Sequence, residues 1–334
     1  MPSALTTVTE LATGLGMLGD PTVDDALERR PAEMVSMAPA TWDQLRTLRA
    51  GGAHDGQFDA AFANGAAFLA ATEALRGRRP AVVEWKGSQR APGDEVAPID
   101  LRVDHVYLIS CKYRSKILFN ASPAHLFDDL LVGRHGRRSG DWYGGTAPGE
   151  YDALYDVVRS AVDPVGLPRR VDDLRTDHRR RLAEALAPGW PDGAASAYRE
   201  LAAAVGAGSA ARWTAALGTR EAAEAMLWRL LRMGSAPYFV LGSTPTTSLR
   251  LRIATPWDWR QQFRLATFEV TAQDGGQPRV GWRAEVRDQH TGTTVPVHGH
   301  VEVRWSHGRF GGLPEAKVYL DSPHDAVPGY FPLA

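Results

Sequence analysis

Apolar residues recur at helical spacing in some stretches of this chain and in short, unbroken runs in others. Helical spacing marks residues 1–50 and 56–76, and it returns at 220–232. Residues 81–87 and 98–115 instead carry β-branched, aromatic and leucine residues in the short runs typical of strands. A helix followed by strands predicts a mixed α and β fold.

One pair of predicted strands places polar side chains together. Residues 106–109 are apolar without a break, which predicts a strand buried on both faces, and residues 104–105 are the place for a tight turn before it. Side chains alternate along a strand, so Ser110 and Lys112 share a face. Folding the hairpin brings Asp100 towards that face. A lysine in such an apolar strand is costly to bury without a partner, and Asp100 is the expected one.

The remaining pattern divides the chain into consecutive segments. Residues 237–242 predict a further strand, residues 247–320 predict several, and residues 150–233 predict arginine-rich helices. The predicted division begins with an N-terminal helical segment (1–55) and the first part of a sheet core (56–145). A helical insertion (146–219) follows, then a helix and strand that complete the core (220–246), and last a β-rich C-terminal domain (247–334).

Composition and charge limit the classes of protein to which this chain can belong. The formal net charge of −1 gives no overall attraction to nucleic acid, so any such contact must use local arginine patches. A single cysteine excludes an internal disulfide. The sequence has no basic-then-apolar leader and no run of 18 apolar residues, from which we expect a soluble, cytoplasmic protein with no membrane contact.

A short motif suggests a family. Pro98-Ile99-Asp100, followed after nine residues by Ser110-Cys111-Lys112, resembles the motif of the PD-(D/E)XK nuclease superfamily. The resemblance implies a restriction-endonuclease-like mixed sheet flanked by helices. Two departures matter: Ile99 separates the proline from the acid, and Ser110 stands where the second acid is expected. A serine supplies no carboxylate, so Glu84 on the neighbouring strand, or else Glu73 at a helix end, is expected to replace it. The alternative for Glu84 is an exposed strand charge paired with Lys86.

The resemblance also implies a chemistry and partners. It implies a metal-dependent endonuclease that hydrolyses DNA, with RNA as the alternative substrate, in restriction or anti-phage defence. Asp100 would hold Mg²⁺ or Mn²⁺ with help from the Cys111 carbonyl and Glu84, and Lys112 would position or deprotonate the attacking water. Ser110 completes the catalytic motif. Double-strand cutting needs two active sites, which by analogy implies a homodimer, and partner defence proteins are possible.

Residues after the motif are candidates for phosphate contacts. Ser122 and Pro123 are typical of a helix start, where backbone N–H groups favour a phosphate. The candidate nucleic-acid-binding residues are Lys86, Arg114, Ser115, Lys116, Asn120, Arg134, Arg137 and Arg138. Solvated loop charges are the alternative interpretation.

The sequence also allows a second function. Because Ser110 replaces an acid, the chain is alternatively a catalytically inactive nuclease-fold subunit that binds nucleic acid or senses base modification. The tryptophans at 257, 259, 282 and 305 either form a pocket for a flipped base or belong to the hydrophobic core.

Overall fold

The computed structural model describes residues 4–87, 99–113, 117–131, 140–163, 165–243 and 248–333, without the side chains of Tyr113 and Ser243. The helices are α1 (Ala4–Gly16), α2 (Val23–Arg29), α3 (Pro39–Ala50), α4 (Asp55–Ala70), α5 (Pro123–Phe127), α6 (Trp142–Thr146), α7 (Pro148–Val162), α8 (Thr176–Ala185), α9 (Ala194–Ala216), α10 (Arg220–Leu230) and α11 (Pro256–Gln262). The strands are β1 (Met34–Val35), β2 (Val83–Trp85), β3 (Leu101–Val103), β4 (Tyr107–Tyr113), β5 (Ile117–Ala121), β6 (Tyr238–Ser243), β7 (Ser248–Ile253), β8 (Phe263–Gln273), β9 (Arg279–Asp288), β10 (Thr294–Arg304), β11 (Glu315–Leu320) and β12 (Tyr330–Pro332).

The chain forms two compact units from separated stretches. Unit 1 comprises Met1–Lys116, Leu231–Phe263 and His324–Ala334, and unit 2 comprises Ile117–Leu230 and Arg264–Pro323. This interleaving differs from the consecutive segments expected from the sequence. The N-terminal helices share a unit with the first sheet, and α10 and most of the β-rich segment share a unit with the helical segment. Strand pairing is the reason: β5 pairs with β11, and β7 pairs with β12.

Unit 1 contains a mixed sheet. Its seven strands, among the described residues, run in the order β1-β2-β3-β4-β6-β7-β12, with parallel pairs at β1–β2 and β4–β6. The β3–β4 hairpin turns at Asp104 and His105, which have positive φ values of 49° and 59°. Asp104 Oδ1 accepts hydrogen bonds from two backbone N–H groups and thereby fixes the turn. The predicted hairpin and its turn are confirmed, but the strand begins at Tyr107, because Val106 belongs to the turn and is 49% exposed.

Helices α1 and α4 pack against each other and against this sheet. Glycines make the close approach possible, because a Cβ atom added at Gly65 would lie 2.0 Å from the Thr13 carbonyl oxygen. Phe68 of α4 packs edge-to-face on Tyr107 and Phe239, with ring centroids 5.8 and 4.9 Å away. The predicted N-terminal helices are therefore part of the core beside the sheet.

Unit 2 contains an antiparallel sheet and a group of helices. Its strands run in the order β5-β11-β10-β9-β8. Helix α9 packs on β9 and on α5, α6 and α7. The predicted helix start at Ser122 and Pro123 is confirmed, since the Ser122 side chain accepts a hydrogen bond from the His125 backbone N–H. Both units thus combine strands and helices, and the molecule is a mixed α and β protein.

Candidate active site

Asp100 is held beside β4 by the hairpin. Its backbone N–H donates to the Ile109 carbonyl oxygen at 2.8 Å. Its Oδ2 atom accepts from the Cys111 backbone N–H at 2.6 Å and from Ser110 Oγ at 3.3 Å. Both of these side-chain bonds go to Oδ2, and within the described ranges no hydrogen bond goes to Oδ1. The hairpin therefore brings Asp100 to Ser110 as alternation along the strand predicted, whereas Pro98 lies outside the described residues.

Helix α1 brings a second carboxylate to the same place. Glu10 is only 5% exposed, and its Oε2 atom accepts a hydrogen bond from Trp85 Nε1 at 2.7 Å. A buried carboxylate is costly unless it is hydrogen-bonded or neutralised. The Trp85 bond provides one partner and fixes the orientation of the Glu10 side chain.

These acids and Lys112 line one cavity. Its volume is ≈ 220 Å³. The residues that line it are Leu5, Thr6, Thr9, Glu10, Asp100, Cys111 and Lys112. Two carboxylates and one ammonium group therefore border a space large enough for water and a small ion.

Burial shifts the proton affinities of two of these groups. It raises the pKa of Glu10 from 4.5 to about 7, with a further contribution from the charge of Asp100. The hydrogen bond from Trp85 and the charge of Lys112 oppose that rise. Burial also lowers the pKa of Lys112 from 10.5 to about 8, with help from Arg232 and against the pull of Asp100. Both groups therefore exchange protons close to neutral pH.

Ser110 and Cys111, which directly precede Lys112 on β4, make contacts that support the structure of the site. Ser110 is fully buried and bonded to Asp100, so it orients the carboxylate. The Cys111 thiol is also buried, and burial, with the charges of Asp100 and Glu10, raises its pKa well above the ordinary value. Such a thiol stays protonated at neutral pH and is a poor nucleophile. The backbone of Cys111, not its thiol, contacts Asp100.

Glu84 makes its contacts elsewhere on the sheet. Arg102 Nε donates to Glu84 Oε2 at 2.7 Å, and Lys86 Nζ lies 3.4 Å from Glu84 Oε1. Burial of Glu84 opposes ionisation, but the bonds and charges of Arg102 and Lys86 outweigh it and lower its pKa. Neither Glu84 nor Glu73 is among the described residues that line the cavity. The carboxylate beside Asp100 is that of Glu10, where the sequence pointed to Glu84 or Glu73.

Most of the predicted phosphate contacts fall on residues that the structure does not describe. These are Arg114, Ser115, Lys116, Arg134, Arg137 and Arg138. Of the other two, Lys86 pairs with Glu84, as above. Asn120 is exposed on β5 in unit 2, opposite Lys317 in the sheet register.

The four tryptophans proposed for a base pocket differ in exposure. Trp259 and Trp282 are 1% and 2% exposed, so their rings belong to the core. Trp257 is 71% exposed on α11, and Trp305 is half-buried after β10. A ligand has access only to the rings of Trp257 and Trp305.

Sequence reasoning missed Glu10, although a signal was present. Within the 13 residues of α1, Glu10 is the only charged side chain, and it lies among the apolar residues Val8, Leu11 and Leu15. An acid among apolar residues on a helix calls for a polar partner, because buried carboxylates are rarely left unpaired. The pattern of α1 therefore contained evidence for a polar site next to the sheet.

Among the described residues, no group of three or more histidine, cysteine, aspartate and glutamate side chains is arranged to hold a metal ion. In the same part of the chain, no helix has the length and apolar character to cross a membrane. Comparisons with protein-family models, with curated proteins and with solved structures found no match.

Proposed function

We propose that unit 1 is a metal-dependent nuclease that hydrolyses phosphodiester bonds in DNA. The observation that carries the proposal is the convergence of Glu10, Asp100 and Lys112 on one cavity. An acid and a lysine with shifted pKa values that share a cavity, here Glu10 and Lys112, are typical of catalytic sites. The spacing of Asp100 and Lys112 adds the resemblance to the PD-(D/E)XK motif, and Glu10 takes the part of the acid that Ser110 lacks.

The topology of unit 1 supports the restriction-endonuclease-like fold. A helix, α4, precedes the strands β2, β3 and β4, and β6 then pairs with β4 in parallel. Asp100 precedes β3, and Lys112 lies near the end of β4. One feature departs from the expected order, since α10, the helix before β6, belongs to unit 2.

The residues at the cavity fit a magnesium or manganese ion. Mg²⁺ takes oxygen ligands and is commonly held by one or two carboxylates, with water and substrate phosphate completing its shell. Asp100 and Glu10 offer two carboxylates on one cavity, which satisfies that requirement without a third acidic group. A bound ion would polarise a phosphoryl oxygen and lower the pKa of a coordinated water molecule.

Lys112 supplies charge and proton transfer. With a pKa of about 8, roughly nine-tenths of Lys112 is protonated at pH 7. The ammonium form stabilises the negative charge that develops on the phosphate, and the neutral fraction accepts a proton from the attacking water. The water oxygen then forms a bond to phosphorus as the bond to the leaving oxygen breaks, and that oxygen takes a proton from solvent.

A second candidate function rests on Ser110. This residue is fully buried and occupies the position of the second motif acid. On this alternative, the chain binds nucleic acid without cleaving it.

A cleavage assay separates the two functions. Supercoiled plasmid DNA and a labelled RNA are incubated with the protein and Mg²⁺ or Mn²⁺. We expect the wild type to cut DNA, and Glu10→Gln and Lys112→Met to cut it about 10²–10⁴-fold more slowly, which is the usual contribution of one positioned catalytic group. Glu28→Gln, on the exposed end of α2, is the matched control and is expected to cut at the wild-type rate.

Each outcome decides between the proposals. Cleavage by Lys112→Met at the wild-type rate would refute the assignment of this cavity. Binding of DNA by the wild type without cleavage, with either ion, would favour the inactive subunit. Glu84→Gln tests the sequence-based assignment, because it is expected to cut normally if Glu10 is the second acid. A defence role further predicts that expression lowers phage plating and that Lys112→Met abolishes this effect.

A further inference from the structure

Unit 2 contains a large cavity of its own. Its volume is ≈ 1070 Å³, just above the roughly 300–1,000 Å³ of typical ligand sites. Helices α8 and α9, the segment between them and the loop that follows β10 form its walls. Nothing in the proposed nuclease chemistry uses this cavity.

Aromatic rings form one wall. The rings of Trp190 and Tyr198 lie 4.9 Å apart between centroids, and Tyr198 stacks on Trp305 with centroids 6.3 Å apart and planes within 26°. Trp305 is anchored by Phe310, whose ring centroid is 4.8 Å away. All three rings that line the cavity are partly exposed. They offer flat, apolar faces of the kind on which nucleobases stack.

Arginines surround the aromatic wall. Arg180 on α8 and Arg199 on α9 are exposed, and neither has an ion-pair partner within the described part of the chain. The Arg309 guanidinium lies 4.9 Å from the centre of the Trp190 ring. Arg304 also lines the cavity and pairs with Glu302 at 3.5 Å.

The balance of charge at the cavity is positive. Against these four arginines, Glu184 is the one carboxylate among the described lining residues. Guanidinium groups bind phosphate through paired hydrogen bonds, and the two unpaired arginines are available to do so. Burial raises the pKa of Tyr198 to about 12, so its hydroxyl is protonated at neutral pH and adds no negative charge.

We propose that this cavity binds a nucleotide. Its base stacks on the outer face of the Trp190–Tyr198–Trp305 cluster, and its phosphate contacts Arg180 and Arg199. The same chemistry is presented by a free nucleotide and by a nucleotide within a single strand. The inference goes beyond the proposed nuclease activity and does not rest on it, because the cavity is formed by unit 2 alone.

Calorimetric titration of the full-length protein in EDTA tests the proposal. The probes are adenosine 5′-monophosphate and a single-stranded hexadeoxyadenylate, which distinguish the two sources of the nucleotide. We expect at least one of them to bind the wild type. Trp190→Ala is expected to weaken binding about tenfold or more, in line with the usual contribution of base stacking on an aromatic side chain. The double variant Arg180→Gln, Arg199→Gln is expected to weaken it similarly through loss of phosphate contacts.

Matched variants keep the result interpretable. Trp257→Ala and Arg46→Gln remove an exposed tryptophan and an exposed arginine from unit 1, and both are expected to bind like the wild type. The arginine double variant changes only exposed side chains, so its fold is expected to be intact by circular dichroism. Wild-type protein that binds neither probe at millimolar concentration would overturn the proposal. Binding that the cavity variants leave unchanged would overturn it as well.

Discussion

Replacing Glu10 with glutamine is expected to stabilise the metal-free protein at pH 8 and to slow DNA cleavage in the presence of metal. The wild-type side chain is 5% exposed and lies near the charge of Asp100, and these features raise its pKa from 4.5 to about 7. Above pH 7 the folded protein therefore holds a carboxylate in an unfavourable place. Glutamine is close in shape and can accept the hydrogen bond from Trp85 Nε1, but it carries no charge.

The size of the effect follows from the pKa shift. The folded state holds the Glu10 proton more tightly than the unfolded state. Protonated Glu10 therefore contributes its full share to the free energy of unfolding below pH 4.5, and this contribution is lost as the pH rises through 7. At about 1.4 kcal/mol per pKa unit, the loss reaches about 3 kcal/mol by pH 8. The new amide N–H₂ group also needs a partner and costs about 1–3 kcal/mol if it stays unsatisfied, so we expect a net gain of up to about 2 kcal/mol at pH 8.

Urea unfolding at pH 5 and pH 8 in EDTA measures this difference. The gain of Glu10→Gln over the wild type is expected to be under about 1 kcal/mol at pH 5 and to grow by pH 8. Glu84→Gln is expected to change the free energy of unfolding in the opposite direction, because Arg102 and Lys86 favour the charged form of Glu84. Its substitution is expected to destabilise the protein at pH 8. Glu28→Gln is expected to change neither value.

One result would refute this reasoning. If Glu10→Gln lowered stability by the same amount at pH 5 and pH 8, the Glu10 carboxylate would not be destabilising in the folded protein. Glu10 would then be an ordinary buried residue whose packing and hydrogen bond matter more than its charge. Added Mg²⁺ provides an independent check, since it is expected to stabilise the wild type by binding to the folded state and to have less effect on the variant.

Three further predictions concern neighbouring residues. Lys112→Met is expected to bind DNA and cut it about 10²–10⁴-fold more slowly. Below pH 8 the melting temperature of this variant should not be lower than that of the wild type, because burial lowers the pKa of Lys112 and makes its charged form costly. Melting curves at pH 7 and cleavage rates test these two statements. Asp100→Asn is expected to remain folded and to lose Mg²⁺ binding by calorimetry; unchanged affinity would place the ion elsewhere. Gly65→Ala is expected to destabilise the protein by about 1–3 kcal/mol and to impair cleavage, because its Cβ would lie 2.0 Å from the Thr13 carbonyl oxygen and push α1 away. Gly56→Ala on the same helix meets no atom within 4 Å and should be neutral or stabilising in the same melting experiment.

The sequence by itself determined the hairpin and the place of Asp100. An unbroken apolar run predicted β4, a polar pair predicted the turn at Asp104 and His105, and alternation predicted that Asp100 faces Ser110. The structure contains each of these features. They were predictable because strand pairing across a short turn fixes which side chains meet within about ten residues.

The tertiary structure decided which second acid reaches the cavity. Glu84 lies on the strand next to the hairpin, but Arg102 on β3 and Lys86, which directly follows β2, hold it instead. Glu10 lies far from Asp100 along the chain, and it reaches the cavity because α1 packs closely on α4 at Gly65 and against β4. The pairing of β4 with β6 likewise joins strands separated by most of unit 2. Contacts of this kind depend on how helix surfaces and distant strands fit together, and local residue patterns do not specify that fit.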